Sequence, residues 1–336
     1  MGDPRVAEAL PAGSFAAVRI AVSGSIATDH LMTFGGSFSE QLIAERLHHV
    51  SLSFLVDGLE IRRGGAAANI CFGLGALRLR PVLVGSVGED FGEYREWLDA
   101  HGVDTSGIRV SKSLQTARFI CTTDAEQAQI ATFYAGAMSE AREIDLDTIG
   151  AVDLVVVSPN DPAAMVEHTT HCRGRGQRFA ADPSQQLAIL DADPIRGLVA
   201  GADILFGNAY EAALLEHKTG WSADDVLAQV GTRVTTHGGD GIVIERAGEP
   251  TESVGVVPAP AIIEPTGVGD AFRAGFLAAQ SWGLSLERSA QVGALLATWC
   301  VESVGPQEYT VDPVEAKERL TEAYDEVAAA EICAHL

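Results

Sequence analysis

Short apolar runs alternate with helix-like segments along most of the chain, and this alternation constrains its fold more than any other feature. The runs are apolar at nearly every position, which is typical of strands covered on both faces. They lie at 18–23, 81–85, 152–158, 178–182, 202–207, 233–236 and 241–245. Buried strands separated by helices predict an α/β fold with three layers, α/β/α.

Four other runs, in which apolar and polar residues alternate, predict a second and smaller sheet. They lie at 50–56, 59–62, 116–123 and 129–134. We interpret them as one small antiparallel sheet that interrupts the main fold twice. The predicted parts are a loose amino-terminal extension, an α/β domain in three pieces and a small-sheet insertion in two pieces. The extension is residues 1–17. The α/β domain is residues 18–33, 63–113 and 137–336, and the small-sheet insertion is residues 34–62 and 114–136.

The segment Glu264-Pro-Thr-Gly-Val-Gly-Asp270 predicts a glycine-rich loop that leads into a helix. The backbone N–H groups of Gly267, Val268 and Gly269 can converge on an anion at the start of that helix. A carboxylate beside such a site would be repelled by a phosphate, unless it accepts the proton of a hydroxyl that attacks the phosphate. The alternative is that Asp270 simply caps the helix.

Thr266-Gly-Val-Gly-Asp270 resembles the second signature of the ribokinase-like (PfkB) sugar and nucleoside kinases, in which the last Asp is the catalytic base. Residues 64–69 (Gly-Gly-Ala-Ala-Ala-Asn) resemble the first signature of that family, and residues 84–92 resemble its usual continuation. Residues 208–211 and 236–241 resemble its Asn-x-x-Glu element and its nucleotide-binding turn. The resemblance implies a ribokinase-like fold in which the small sheet is a lid over the acceptor site.

By this resemblance, ATP binds at Asn208, Thr236, Gly238 and Gly241. Glu211 orders the water shell of Mg²⁺, an ion that takes few direct protein ligands when phosphates supply the rest. The alternative for Asn208 and Glu211 is a capping pair on an exposed helix.

A potassium site is also implied, because related kinases are often assisted by a monovalent cation. Its candidate residues are Glu264, Thr266 and Ser303. The family usually has Asp at the position of Glu264, so the sequence departs from the pattern at this site.

The predicted acceptor is a nucleoside. Asp29 and Asn69 suit the two hydroxyls of a ribose, although the glycines before Asn69 could instead serve tight helix packing. Gln186 stands where sugar kinases of the family commonly have Arg, and its amide suits the edge of a nucleobase. Phe119 and Phe133 could stack on the base or form the core of the lid. The candidate set is Ser25, Asp29, Ser53, Gly65, Asn69, Phe119, Phe133, Gln185 and Gln186.

These features resemble the bacterial adenosine kinases of the family, which implies transfer of the γ-phosphate of ATP to the 5′-hydroxyl of adenosine. The alternative is a related kinase for inosine, guanosine, ribose or a sugar phosphate, although Gln186 in place of Arg weighs against the last. A nucleoside-binding regulator on an inactive kinase scaffold would have lost Asp270 or its glycines. A dinucleotide oxidoreductase would have Gly-x-Gly-x-x-Gly after its first strand, and this chain does not.

The composition argues against several other classes. A formal net charge of −23 disfavours an extended nucleic-acid surface. No apolar run approaches the roughly 18 to 20 residues of a membrane span, and the first residues lack the order of a secretory signal, so we expect a cytoplasmic protein. Five cysteines without a Cys-x-x-Cys pair argue against a disulfide framework and a structural zinc site.

The predicted lid offers more apolar side chains than one face over a small nucleoside can bury. A small sheet exposed on its other face leaves an apolar patch and open edges, which proteins normally cover with a partner. We therefore expect a two-fold homodimer joined lid to lid, with Phe54 or Ile120 near the contact. The resembling kinases include both dimers and monomers.

Overall fold

The computed structural model describes residues 18–41 and 52–336, so the predicted extension at 1–17 lies outside the described residues. The strands within those residues are β1 Ile20–Ser23, β2 Ala27–Thr33, β3 Gly58–Gly64, β4 Val82–Val87, β5 Ile108–Val110, β6 Ala117–Thr123, β7 Gln129–Tyr134, β8 Leu154–Val157, β9 Phe179–Ala181, β10 Ile204–Asn208, β11 Thr232–Thr236, β12 Ile242–Glu245 and β13 Glu252–Val254. The α-helices are α1 Phe38–Gln41, α2 Ala66–Ala76, α3 Gly92–Ala100, α4 Pro162–Arg175, α5 Ala192–Val199, α6 Ala209–Thr219, α7 Ala223–Leu227, α8 Val268–Ser281, α9 Leu286–Val301, α10 Pro313–Ala323 and α11 Glu326–Cys333. Across this part of the chain, no helix combines the length and the apolar character that crossing a membrane requires.

Nine strands form the main sheet, in the order β13-β12-β11-β10-β9-β8-β1-β4-β5. The strands from β11 to β5 are parallel, and β12 and β13 are antiparallel to their neighbours. Successive residues of β1 face opposite sides: Ile20 and Val22 join the apolar cluster of α2, α8 and α9, whereas Ala21 joins that of α4, α5 and α6. Because helices cover both faces of the sheet, the predicted three-layer α/β/α fold is confirmed.

The remaining four strands form the small sheet, in the order β3-β2-β6-β7. Its outer pairs are antiparallel, as predicted, but the prediction is wrong for the central pair, because β2 and β6 are parallel. Both of these strands follow parallel strands of the main sheet, β1 and β5, and leave the same edge of that sheet in the same direction. The small sheet is therefore an extension of that edge.

One of the four predicted small-sheet strands is wrong. Residues 52–56, the described part of the run at 50–56, form no strand. The apolar residue Phe54 packs instead against Phe34 and Phe38, with ring centroids 5.0 Å from each. The fourth strand is β2, in a stretch that the sequence pattern places in a loop and in the α/β domain. The other three predicted strands correspond to β3, β6 and β7.

Candidate active site

A cavity of about 550 Å³, the central cavity, lies between the small sheet and the amino-terminal ends of α2 and α8. Its lining residues are Ser25, Ala27, Asp29, Gly65, Ala66, Asn69, Phe119, Phe133, Met138, Pro159, Gln185, Gln186, Thr266, Gly267 and Asp270. The structure thus brings together eight of the nine predicted substrate residues with Asp270. The exception is Ser53, which is exposed and outside this lining.

The start of α8 leaves backbone N–H groups available to an anion, and the Val268 N–H has only a long contact, 3.5 Å, with the Pro265 carbonyl oxygen. Gly267, at the N-cap position, has a φ of 79°, a left-handed conformation that favours glycine. A Cβ on Gly267 would lie 2.3 Å from Cβ of Pro306, so a side chain does not fit there. No side chain of the described residues caps this helix, and the N–H groups of a first turn lack intrahelical partners. The predicted anion site at Gly267, Val268 and Gly269 is therefore geometrically available.

Asp270 lies in the first turn of α8, where it is half-buried and lines the central cavity. Asn69 Nδ2 donates a hydrogen bond to Asp270 Oδ2 over 2.8 Å. Removal from water raises the pKa of Asp270 to about 7, although the Arg273 cation and the bond from Asn69 favour the charged form. A carboxyl group with a pKa near the working pH suits a general base.

Arg273, one helical turn after Asp270, forms a buried ion pair with Asp182. Arg273 Nη2 lies 2.6 Å from Asp182 Oδ1, and the two side chains are 8% and 1% exposed. Burial raises the pKa of Asp182, and the Arg273 charge opposes that rise. A Cβ on Gly269 would lie 2.8 Å from Arg273 Nη1, so the second glycine of the loop makes room for this guanidinium. The pair joins α8 to the segment after β9 that carries Gln186.

Asp29 reaches the central cavity from β2, in register with Arg62 of β3. Burial raises the pKa of Asp29 to about 6, and the Arg62 charge opposes that rise. A Cβ on Gly64 would lie 2.8 Å from Asp29 Oδ2. Gly65 has a φ of 95°, and a Cβ there would lie 2.6 Å from the Ser25 carbonyl oxygen. The glycine pair therefore makes room for the carboxylate and lets α2 begin against the turn between β1 and β2.

Two aromatic and two amide side chains line another part of the cavity. Phe119 and Phe133 are paired across β6 and β7, and Phe133 is 53% exposed. Gln186 Nε2 donates to the Asn160 carbonyl oxygen over 2.8 Å, while Gln186 Oε1 has no partner among the described residues. Gln185 is exposed at the same wall.

The four predicted ATP residues lie together at the carboxyl edge of the main sheet, where open α/β sheets bind ligands. Asn208 and Thr236 are paired at the ends of β10 and β11. Gly238 and Gly241 follow in a turn with φ values of 58° and 102°. A Cβ on Gly241 would lie 2.4 Å from the Val254 carbonyl oxygen, so the turn requires glycine there.

Glu211 is part of a capping box at the start of α6, as the alternative for Asn208 and Glu211 predicts. Asn208 Oδ1 accepts from the Glu211 N–H over 2.9 Å, and Glu211 Oε2 accepts from the Asn208 N–H over 2.8 Å. Glu211 Oε1 accepts from Ser184 Oγ over 3.1 Å. A carboxylate has about four acceptor positions, so Glu211 can still order water around a magnesium ion. The donor set therefore fits a water-mediated Mg²⁺ site.

The side chains of the predicted potassium site already have protein partners. Glu264 accepts a hydrogen bond from Thr266 Oγ1 over 2.7 Å and forms an ion pair with Arg62 of the small sheet. Ser303 Oγ donates to the Trp299 carbonyl oxygen over 2.9 Å. Arg62 also brings positive charge to the carboxylate that a cation would need. The Thr266 and Ser303 hydroxyl oxygens keep their lone pairs, but the Arg62 charge disfavours a monovalent cation beside Glu264.

Sequence reasoning missed three contributors to this region: Met138 in the cavity wall, the Arg273–Asp182 pair and the Arg62–Glu264 pair. The spacing of Arg273 three residues after Asp270 is a usable signal, because residues three apart share a helix face. The partner of Arg62 has no local signal, since Glu264 lies 202 residues away.

An open helix start, a half-buried carboxyl group in its first turn and a glycine turn at the same sheet edge define a class of protein. That class is the kinases that transfer a phosphoryl group to a hydroxyl group.

Comparisons with known proteins identify the family. The family described as "pfkB family carbohydrate kinase" matches residues 30–312 of this chain. The chain is 31% identical to a nucleoside kinase of Methanothermobacter thermautotrophicus, over 77% of this chain and 84% of that protein. It is 34% identical to an ATP-dependent ribose-1-phosphate kinase of Halopiger xanaduensis, over 70% of this chain and 80% of that protein. The structure of a Burkholderia thailandensis nucleoside kinase in complex with inosine is similar, with a TM-score of 0.80, 32% identity, and coverage of 91% and 98% of the two chains. The chain therefore belongs to the pfkB family of carbohydrate kinases and is an ATP-dependent phosphotransferase.

We expect turnover that does not depend on potassium, because the Arg62 guanidinium supplies the positive charge beside Glu264. Rates measured in KCl and in choline chloride at equal ionic strength should agree. Arg62→Met leaves Glu264 without its cation, so potassium should stimulate that variant. The matched control is Arg63→Met, which removes the neighbouring arginine and its contact with Glu308. A severalfold higher rate of the unsubstituted protein in KCl would contradict this prediction.

Proposed function

We propose that this protein is a nucleoside kinase that phosphorylates the 5′-hydroxyl of a purine nucleoside, with adenosine as its main acceptor. The observation that carries the proposal is the central cavity, which places Asp29, Asn69 and Gln186 around a space that Asp270 also lines. Its volume of about 550 Å³ is in the range of sites for small organic ligands. The similarity to nucleoside kinases of an archaeon and a bacterium supports a nucleoside acceptor.

In the proposed reaction, the Asp270 carboxylate accepts the proton of the 5′-hydroxyl as that oxygen attacks the γ-phosphorus of ATP. The N–H groups of Gly267, Val268 and Gly269 stabilise the negative charge on the phosphoryl group in transfer. The sheet edge with Asn208 and Thr236 holds the remaining phosphates. Magnesium, when bound, neutralises charge on the phosphates, and Glu211 is the residue that would hold its water shell.

Gln186 Oε1 is buried and has no partner among the described residues, so a base that draws this side chain toward the cavity would satisfy it with a hydrogen-bond donor. Adenine offers its amino group, and hypoxanthine and guanine offer N1–H. Inosine and guanosine are therefore the nearest alternatives to adenosine, and the similar Burkholderia kinase was solved with inosine. The aromatic faces of Phe119 and Phe133 accept any of these base planes.

Ribose 1-phosphate is a weaker candidate, although one relative carries that activity in its name. None of the described residues that line the central cavity is Arg or Lys. They include the carboxyl groups of Asp29 and Asp270, which would repel an acceptor phosphate. A neutral nucleoside avoids this repulsion.

The direct test is an ADP-release assay with adenosine, inosine, guanosine, cytidine, ribose and ribose 1-phosphate. We expect the highest kcat/KM with adenosine. A higher kcat/KM with inosine or guanosine would support a nucleoside acceptor but with a different preferred base. A higher value with ribose or ribose 1-phosphate would overturn the proposal.

Gln186→Leu should weaken adenosine binding by about 1 to 3 kcal/mol, because donors or acceptors of the buried base lose their partner. Isothermal titration calorimetry measures the change directly. Gln185→Leu is the matched control, since its side chain is exposed and a smaller loss is expected. Unchanged adenosine affinity in Gln186→Leu, with unchanged thermal stability, would show that the base is read elsewhere.

We also propose a homodimer that forms through the outer face of the small sheet. Strand register puts Asp29 and Phe119 on the cavity face and Leu59, Ile61 and Ile130 on the other face. These three apolar side chains are 60%, 58% and 46% exposed. Covering such a patch with a second copy removes apolar area from water.

Light scattering at micromolar concentration should give the mass of a dimer. Ile61→Glu should give a monomer, because a charge in the centre of an apolar contact is costly to desolvate. Val314→Glu is the control, since Val314 is 70% exposed on α10, a helix that packs on α9 and α11. A monomer mass for the unsubstituted protein would refute the dimer.

A further inference from the structure

Gln307, in the turn after α9, is in contact with the residue that holds Asp270. The Gln307 side chain is 1% exposed. Its Nε2 donates to Asn69 Oδ1 over 2.9 Å and to the Tyr94 hydroxyl over 2.5 Å. Asn69 Nδ2 in turn donates to Asp270 Oδ2. A continuous chain of hydrogen bonds therefore links this turn to the carboxyl group in the first turn of α8.

The direction of this chain is set by its two ends. The Tyr94 hydroxyl donates to the Gly64 carbonyl oxygen over 2.9 Å, and a carbonyl can only accept. The Tyr94 oxygen is thus available to accept from Gln307. At the other end, the ionised Asp270 carboxylate also can only accept. Gln307 therefore has to present its NH₂ group to both neighbours, and Asn69 has to present its oxygen to Gln307 and its NH₂ group to Asp270.

The same turn also packs on the anion loop. A Cβ on Gly267 would lie 2.3 Å from Cβ of Pro306, so Pro306 fills the space beside this glycine. Gly305 has a φ of 101°, which allows the turn to bend back over both α2 and α8. Adjacent residues of one turn thus contact the first glycine of the anion site and the amide beside Asp270.

We propose that Gln307 is a positioning residue of this kinase: it holds the Asn69 amide in the one orientation that donates to Asp270. The proposal rests on the proposed function, in which Asp270 is the base. It adds a residue outside the glycine motifs, 37 positions after Asp270, that controls the ionisation and direction of the base without contacting substrate.

The proposal predicts a change in the titration of Asp270. The charged or titratable groups that influence Asp270 are Arg273, Asp182, Glu211, Cys300 and Tyr309. Gln307→Glu leaves all of them in place and reverses the polarity of the chain, because a carboxylate accepts from Asn69. The Asn69 oxygen then faces Asp270 and a second negative charge lies nearby, and both disfavour the charged form of Asp270.

We expect Gln307→Glu to move the acidic limb of the kcat profile upward by about one pH unit, which lowers turnover about tenfold below the limb. Gln307→Met removes the donors without reversing polarity, so its shift should be smaller and in the same direction. Gln291→Met is the control for loss of a buried glutamine, since Gln291 is 3% exposed and accepts from Arg288. Its profile should match that of the unsubstituted protein.

A second measurement does not depend on catalysis. In protein labelled with ¹³C at aspartate carboxyl carbons, the Asp270 resonance is assigned by its loss in Asp270→Asn and titrated with pH. An upward shift of the Asp270 pKa in Gln307→Met, which adds no charge, supports the proposal even if no nucleoside is turned over, a result that would defeat the proposed function alone. Unchanged titration of Asp270 in folded Gln307→Met overturns the proposal, even if the added charge of Gln307→Glu shifts it.

Discussion

Asp270→Asn is expected to lower turnover by roughly 10² to 10⁴-fold while leaving nucleoside affinity nearly unchanged. An asparagine keeps the shape of the side chain, and its amide oxygen can still accept the hydrogen bond from Asn69 Nδ2. It cannot take a proton from the 5′-hydroxyl. The other groups that line the cavity, such as Asp29 and Gln186, are untouched.

The matched control for this substitution is Asp29→Asn. Asp29 is the other carboxyl group of the central cavity with a raised pKa, about 6. If Asp29 holds ribose hydroxyls, its loss should raise KM more than it lowers kcat, whereas the loss of Asp270 should lower kcat. The kcat of the unsubstituted protein should also rise with pH through about 7, because burial raises the pKa of Asp270 to that value and the charged form is the base. An Asp270→Asn enzyme with most of its turnover would end the assignment of Asp270 as base.

The two glycine motifs could be predicted from sequence because each depends on local backbone geometry. Gly65 and Gly267 both stand at the N-cap of a helix with a positive φ, where a Cβ would meet a neighbouring atom at less than 3 Å. Such positions leave a mark in the sequence whatever the rest of the fold does. The buried apolar strands of the main sheet are equally local, since nearly every residue of β4 and β8 is apolar and buried.

Strand β2 could not be predicted in this way, because both of its faces carry polar residues. Asp29 faces the central cavity and Thr28 and His30 lie on the other face, so the apolar alternation that marks a half-buried strand is lost. The pairs that organise the site have no local pattern either: Gln307 contacts Asn69 from 238 residues away. Contacts of this kind follow from the tertiary fold.

The largest expected loss of stability follows Arg273→Met. Arg273 and Asp182 are 8% and 1% exposed, so this change leaves a carboxylate without a cation in a place that water does not reach. Breaking a buried pair in this way typically costs 3 to 5 kcal/mol of unfolding free energy. The cost should be high here, because Asp182 Oδ2 already has no hydrogen-bond partner among the described residues. Urea denaturation followed by circular dichroism measures the change.

The loss of unfolding free energy in Arg273→Met should also depend on pH, in a direction that follows from the raised pKa of Asp182. In the unfolded chain an aspartate titrates near 3.9, so below about pH 4 the carboxyl group is protonated in both states and needs no cation. As pH rises above that value, Asp182 loses its proton in the unfolded chain. In the folded Arg273→Met protein, Asp182 either keeps the proton or becomes a buried charge. The destabilisation should therefore be larger at pH 8 than at pH 5.

Two variants separate this effect from a general loss of packing. Asp182→Asn combined with Arg273→Met removes both charges, so the double variant should be more stable than Arg273→Met alone, and its stability should depend less on pH. Arg175→Met breaks an exposed pair with Asp147, in which the side chains are 63% and 47% exposed, and should cost less than about 1 kcal/mol. If Arg273→Met lost no more stability than Arg175→Met, the buried pair would not hold α8 to the segment after β9. The Asp270 carboxyl group would then be positioned by the Asn69 contact and by packing of α8 on α2 and α9.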